Sequence, residues 1–268
     1  PDLAGHVGTA NLLDARTVVN LAMFEVRALR HRGDLRSAVR LSLDAAAFAR
    51  DLHRRGTLID QMIGAACVAI ATHEHWPEPA LAQLGPAELA DLDRGLERLD
   101  HDLPLVADQD GDLAFCLAVL DTDPQDADWL PGRTAAWRYG FSTRWMLADG
   151  ILCKASLDRE LACASELAWP QRKELLERRC GEVAASGNPV LAMMVPNAAA
   201  AEQSLRESVA LVRLLRLSVA RHRQGELPAL RDPLGLGPFV VTTLDDGRTR
   251  LSSVADEQRE RLVRVLGT

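Results

Sequence analysis

The stretch GTLIDQMIGAACVAIATH, residues 56–73, decides the fold class. Gly56 closes one helix and Thr57 opens the next. Leu58, Ile59, Met62, Ile63, Ala66, Cys67, Val68, Ile70 and Ala71 leave almost no polar face. A helix that is apolar nearly all round belongs at the centre of a helical protein. Upstream, residues 35–54 place Leu35, Val39, Leu43, Ala46 and Ala47 at helical spacing, and residues 9–31 do the same through Val19, Met23 and Val26. Gly33 stops that first helix and Asp34 caps the second. Downstream, Pro77, Pro79 and Pro86 break the chain. Short helices are expected over 86–100 and 104–120, then a polar loop over 121–132. The longest helix is expected over 133–168, with Trp137, Phe141, Trp145, Ala148, Leu152 and Ala155 on one face. Helices over 171–185 and 197–224 follow.

After Gly225 the pattern changes. Pro228, Pro233, Gly235, Gly237 and Pro238 punctuate a loop. Phe239–Leu244 and Arg248–Val254 read as two strands around Asp245-Asp246-Gly247. Residues 256–266 read as a terminal helix. The expectation is an all-α protein, a multi-helix bundle or irregular α-solenoid with a small C-terminal β-hairpin. The helical domain spans 1–225, with a sub-boundary near 121–132, and the hairpin with its terminal helix spans 226–268.

Composition agrees. Of 268 residues, 47% are hydrophobic and 26% charged, which fits a globular chain and excludes wholesale disorder. Ala and Leu, both strong helix formers, dominate. The net charge of -7 argues against a general nucleic-acid binder, which needs a basic face. No uninterrupted apolar run of 18 residues occurs, so no transmembrane helix is expected. No signal-peptide pattern is visible, and a removed signal or anchor is left open by the absence of Met at Pro1. The five cysteines form no CxxC. Cys163 and Cys180 flank a helix–helix corner where an oxidising compartment would let them pair.

Three clusters are candidates for chemistry. His73 and His75 flank Glu74 and offer metal-ligating groups, although i and i+2 diverge on a helix. The alternative is a solvated helix end, with imidazolium favoured by the helix dipole. Asp108, Asp110 and Asp112 resemble an oxygen-ligand loop, but Val119 stands where a calcium loop needs its bidentate Glu. The alternative is a solvated acidic edge. Asp60 and Gln61 enter the most apolar helix and, with Trp137 and Trp145 of the long helix, outline a ligand pocket. The alternative for Asp60 is a carboxylate stabilising the first turn. No G-x-S-x-G, no cysteine-nucleophile signature and no dinucleotide fingerprint occurs, so neither catalytic residues nor a cofactor are assigned. The arginine runs 30–36, 50–55 and 216–223 are either receivers of acidic partners or solvated helix faces.

Asn188-Pro189, Pro196-Asn197-Ala198, a long Arg/Leu/Ala helix, Gly225-Glu226-Leu227-Pro228 and Asp232-Pro233-Leu234-Gly235 before a hairpin form one ordered pattern. It resembles a family of uncharacterised bacterial envelope proteins of planctomycete and myxobacterial type. Gly56-Thr57-Leu58-Ile59-Asp60-Gln61 is similar to the same family. The tail alone resembles the end of type II secretion pseudopilins. The first resemblance implies a periplasmic or membrane-anchored ectodomain whose anchor lies outside the given residues; the alternative is the cytoplasm. Neither resemblance carries catalytic residues. The function expected is therefore a non-enzymatic envelope scaffold or adaptor that holds a protein or peptide partner between its helices. The alternative is a helical small-ligand binder or enzyme with its pocket near Asp60 and Gln61.

Overall fold

The computed structural model describes residues 9–53, 57–72, 75–108, 110–121, 141–186, 188, 198–254 and 262–266. Among them are nine helices: α1 (Thr9–His31), α2 (Leu35–His53), α3 (Leu58–Thr72), α4 (Glu78–Leu81), α5 (Pro86–Asp102), α6 (Asp110–Asp121), α7 (Phe141–Cys163), α8 (Trp169–Ala184) and α9 (Ala198–Gln224). Three short strands follow, β1 (Val240–Thr243), β2 (Thr249–Ser252) and β3 (Val263–Leu266), in one antiparallel sheet of order β1-β2-β3. The protein is an all-α bundle with a small C-terminal sheet. No helix among the described residues is long and apolar enough to cross a membrane.

The α1–α2 corner follows from two residues. Gly33 takes φ +80°, a left-handed conformation that a Cβ disfavours. The Asp34 amide then donates to the Leu29 carbonyl at 2.9 Å, and the Asp34 carboxylate accepts the Ser37 N–H at 3.1 Å to start α2.

α3 is central to the first core, mostly buried and packed on α1, α2 and α9, and α9 is central as well, because it serves two cores. Its Val209, Val212, Leu215 and Val219 join a core made by α1–α5, while Leu211, Leu214 and Leu217 join a second core made by α7, α8 and the sheet. α3 packs on α1, α2 and α9 but leaves Ile59 56% and Met62 37% exposed. Four charged residues of α9, Arg206, Glu207, Arg213 and Arg216, are all hydrogen-bonded within the protein. Pairing is what lets a charged helix occupy a core.

Two expectations are corrected. On α7, Trp145 and Leu152 of the expected face are exposed, whereas Ile151, Lys154, Leu157 and Leu161 are buried. Spacing alone identifies a stripe, not the side it faces, and here the core accepted the aliphatic one. The end of the expected terminal helix, Val263–Leu266, is a strand. Its sequence Val-Arg-Val-Leu alternates in burial along the strand, with Arg264 and Leu266 inward. Two β-branched residues in four favour that choice. Residues 255–261 lie outside the described residues.

Arg264 ties the sheet to the bundle by donating to the Trp76 carbonyl at 2.5 Å. Asp232 ties the preceding loop to the sheet, accepting the Leu234 N–H, the Ser253 hydroxyl and the Val254 N–H.

Candidate functional site

α2 and α5 enclose a cleft of about 430 Å³. Its floor is apolar: Val39, Leu43, Ala46 and Ala47 from α2, Gly95 and Leu99 from α5. Gly95 sets the depth, because a Cβ built there would overlap the Leu43 side chain. Arg36, Arg40 and Arg50 rise from α2, and Arg94 and Arg98 rise from α5. Asp44, Glu88 and Asp91 are the acidic residues of the lining. The lining itself carries five guanidiniums and three carboxylates, on a chain whose net charge is -7.

These arginines differ in their commitments. Arg50 is fixed by Asp102 at 2.8 Å and by Asp51, and Arg94 is paired with Asp91. Arg36, Arg40 and Arg98 make no ion pair or hydrogen bond among the described residues and stand exposed at the rim. The basic run near the end of α9 behaves differently. Arg213 and Arg216 both grip Asp100, at 2.7 and 2.6 Å, Arg216 also reaches Glu97, and Arg223 pairs with Asp93. On α5, Asp93, Glu97 and Asp100 turn to α9, while Arg94 and Arg98 turn to the cleft together with Glu88 and Asp91.

The residues singled out in the sequence are placed as follows. Asp60 accepts the Thr57 N–H at 2.6 Å and the Thr57 hydroxyl at 2.9 Å, a reciprocal cap at the start of α3. Gln61 is buried and holds the Asp108 backbone from both sides, accepting its N–H at 2.9 Å and donating to its carbonyl. Trp145 is 63% exposed, half a turn round α7 from buried Lys154. Trp137 and His73 lie outside the described residues. His75 is buried, and its Nδ1 accepts from Arg27 Nε at 3.0 Å. Burial first, then Arg27 and Arg30, lower its pKa to about 4, so the ring is neutral at pH 7. Asp108 and Asp110 are exposed, and Asp112 accepts the Leu58 N–H at 3.3 Å. No three His, Cys, Asp or Glu side chains converge as a metal-binding group among the described residues. Cys163 and Cys180 are both free thiols.

A second polar assembly lies beside Asp60. Lys154 Nζ donates to Asp158 Oδ2 at 2.7 Å with its side chain only 1% exposed. Burial raises the carboxyls of both Asp158 and Asp112, against the lowering pull of Lys154. Lys154 at the centre of this group is buried, whereas Arg36, Arg40 and Arg98 of the α2/α5 cleft are exposed.

The sequence flagged the arginine runs but not the pairing of Arg36/Arg40 with Arg94/Arg98. The usable signal was the spacing. Like charges at i and i+4 on a helix repel by roughly a few tenths of a kcal/mol, so two such pairs on neighbouring helices mark a face that an anion would favour. No family model, no curated protein and no solved structure matches this chain.

Proposed function

We propose that this protein is a non-enzymatic helical adaptor that holds a segment of a protein partner in the α2/α5 cleft. One observation carries the reading: an apolar floor flanked by guanidiniums that the protein itself leaves unpaired. Its volume falls in the range of binding clefts, roughly 300–1,000 Å³. Asp60 and Gln61 are spent on a helix cap and a backbone clamp, which favours the cleft over a pocket at that point. The cell envelope as address is part of the same proposal and rests on the residue pattern of 188–198 and 225–235.

The test is site-directed photo-crosslinking in the source cell. A crosslinking amino acid at Ala47, on the cleft floor, is expected to give one discrete protein adduct. The same group at Arg178 on α8 gives none, and Leu43→Trp, which fills the floor, abolishes the Ala47 adduct. Equal labelling from both positions, or none from Ala47, overturns the reading. Immunoblotting of cell fractions tests the address: signal confined to the cytosol removes it.

A further inference from the structure

We infer that the occupant of the α2/α5 cleft is an extended acidic peptide segment, read by Arg36 and Arg40 on one wall and by Arg94 and Arg98 on the other. The inference deepens the adaptor reading and rests on it.

Charge sorting is the first argument. The acidic face of α5 is consumed by Arg213, Arg216 and Arg223 of α9. The cleft face of α5 carries Arg94 and Arg98 beside Glu88 and Asp91, and Arg36, Arg40 and Arg50 stand opposite on α2 with Asp44. Each wall therefore carries a like-charge i, i+4 pair, an arrangement that weakens an isolated helix. A bound anion offsets that term, because Arg36, Arg40 and Arg98 gain a charge-assisted hydrogen bond that they lack among the described residues, whereas Arg94 already has one to Asp91. The chain as a whole is acidic, so an acidic ligand is repelled elsewhere and drawn to this patch.

Geometry then selects the form of the anion. Four residues along a helix span about 6 Å, which is the axial separation within each arginine pair. Alternate residues of an extended chain lie about 6.6 Å apart, so carboxylates at every second position match that spacing. The α2 lining runs from Arg36 to Arg50, about 21 Å of helix axis, which an extended peptide of roughly six residues covers. Alternation places one set of side chains down on the apolar floor and the other set at the rim beside the guanidiniums. A peptide that alternates acidic and aliphatic residues satisfies both. A free phosphate or small carboxylate satisfies the rim alone.

The experiment is fluorescence anisotropy with the purified chain. The probe is a labelled peptide of alternating Glu and Leu. The comparisons are an alternating Lys/Leu peptide, an isomer with its Glu and Leu residues in separate blocks, and citrate and inorganic phosphate as competitors. The alternating acidic peptide is expected to bind tightest, with affinity falling as salt rises. Arg36→Glu with Arg40→Glu, or Arg94→Glu with Arg98→Glu, is expected to weaken it by about tenfold or more. A reversed variant that is merely misfolded binds nothing. A folded one gains affinity for the Lys/Leu peptide, and that exchange of preference is the decisive result. Equal binding of acidic and basic peptides overturns the inference. So does unchanged binding by both double variants, or competition by citrate or phosphate at the peptide's own concentration. If Ala47 still captures a partner while the acidic peptide fails to bind, the adaptor reading stands and only the acidic occupant falls. If both fail, the adaptor reading falls as well.

Discussion

The two cores of this protein solve the problem of charge in opposite ways. Around α1–α5 the core is mostly aliphatic, and at its edge three arginines without partners among the described residues face an open cleft. Around α7, α8 and the N-terminal half of α9, charges go inside. Lys154, Arg172, Glu202, Arg206 and Glu207 are all buried there. Arg172 holds Glu202 with two parallel bonds and the Leu161 carbonyl with a third, and Arg206 stacks 4.9 Å over the Trp169 ring while donating to the Pro233 carbonyl. A buried pair fixes one arrangement of helices. An unpaired rim leaves a place for something else. The contrast sets unpaired surface arginines in the first half against paired buried charges in the second.

Breaking the inner pair should give the largest effect. Glu202→Ala leaves the Arg172 guanidinium, 1% exposed, without its counter-ion. Orphaning a buried charge in this way costs about 3–5 kcal/mol, so urea melts should show the variant close to unfolded. Arg172→Met combined with Glu202→Leu removes both charges and should recover most of that loss. If the double variant is as unstable as the single one, the pair contributes more than mutual neutralisation, and the contrast between the halves needs a different cause.

How far these halves were legible in the sequence follows the same division. In the first half the helices were readable almost to their ends, because apolar periodicity, Gly33, Asp34 and Pro86 each act within a turn of the backbone. In the second half α9 was readable as a helix but not as the centre. Nothing local to Arg206 or Glu202 reveals that Trp169 and Arg172 will cover them. Trp145 misled for a related reason: an aromatic stripe marks a helix face, while burial depends on what packs against it. The cleft needed two helices that are thirty residues apart in the chain, so its arginines were visible singly and not as a set.

Acid should test the first half through His75. The ring binds a proton near pH 6.5 when unfolded but only near pH 4 when folded. The unfolded state therefore holds more protons between those values, and the native state loses stability as pH falls through that window. The loss is on the order of 3 kcal/mol. Asp112 and Asp158 act in the opposite sense. Their raised folded pKa values make ionisation unfavourable in the fold, so stability falls as pH rises above 3.8 through their raised range. His75→Asn keeps an acceptor for Arg27 without the titration, and its melting temperature should vary less between pH 6.5 and 4 than that of the wild type. A parallel pH profile for the two would assign the acid sensitivity elsewhere.

A comparable effect is expected at the cleft floor. Gly95→Val drives a branched side chain into Leu43, and overpacking of this kind costs about 1–3 kcal/mol, partly offset by the poor helix propensity of glycine. The same variant narrows the cleft, so it should weaken peptide binding by more than it lowers the melting temperature would explain. Loss of stability with unchanged binding would separate the floor from the rim and leave the arginines alone as the determinant.

The smallest expected effect sits where the halves meet, at the start of α3. Thr57 and Asp60 cap each other, with the Asp60 carboxylate accepting both the Thr57 N–H and hydroxyl, and Asp112 of α6 reaches the Leu58 N–H from outside. The helix end is thus served twice. Thr57→Ala removes the hydroxyl but leaves Asp112 on the Leu58 amide, and should cost about 1 kcal/mol, typical of a lost N-cap. Adding Asp112→Asn weakens the charge on the same amides, so the two losses should not add: with each carboxylate able to relax towards the orphan N–H groups, the double variant should cost more than the sum of the single ones. A double-mutant cycle by urea denaturation reads that coupling directly. Strict additivity would mean that Asp112 serves α6 and its neighbours Lys154 and Asp158, and that the first turn of α3 depends on Thr57 and Asp60 alone.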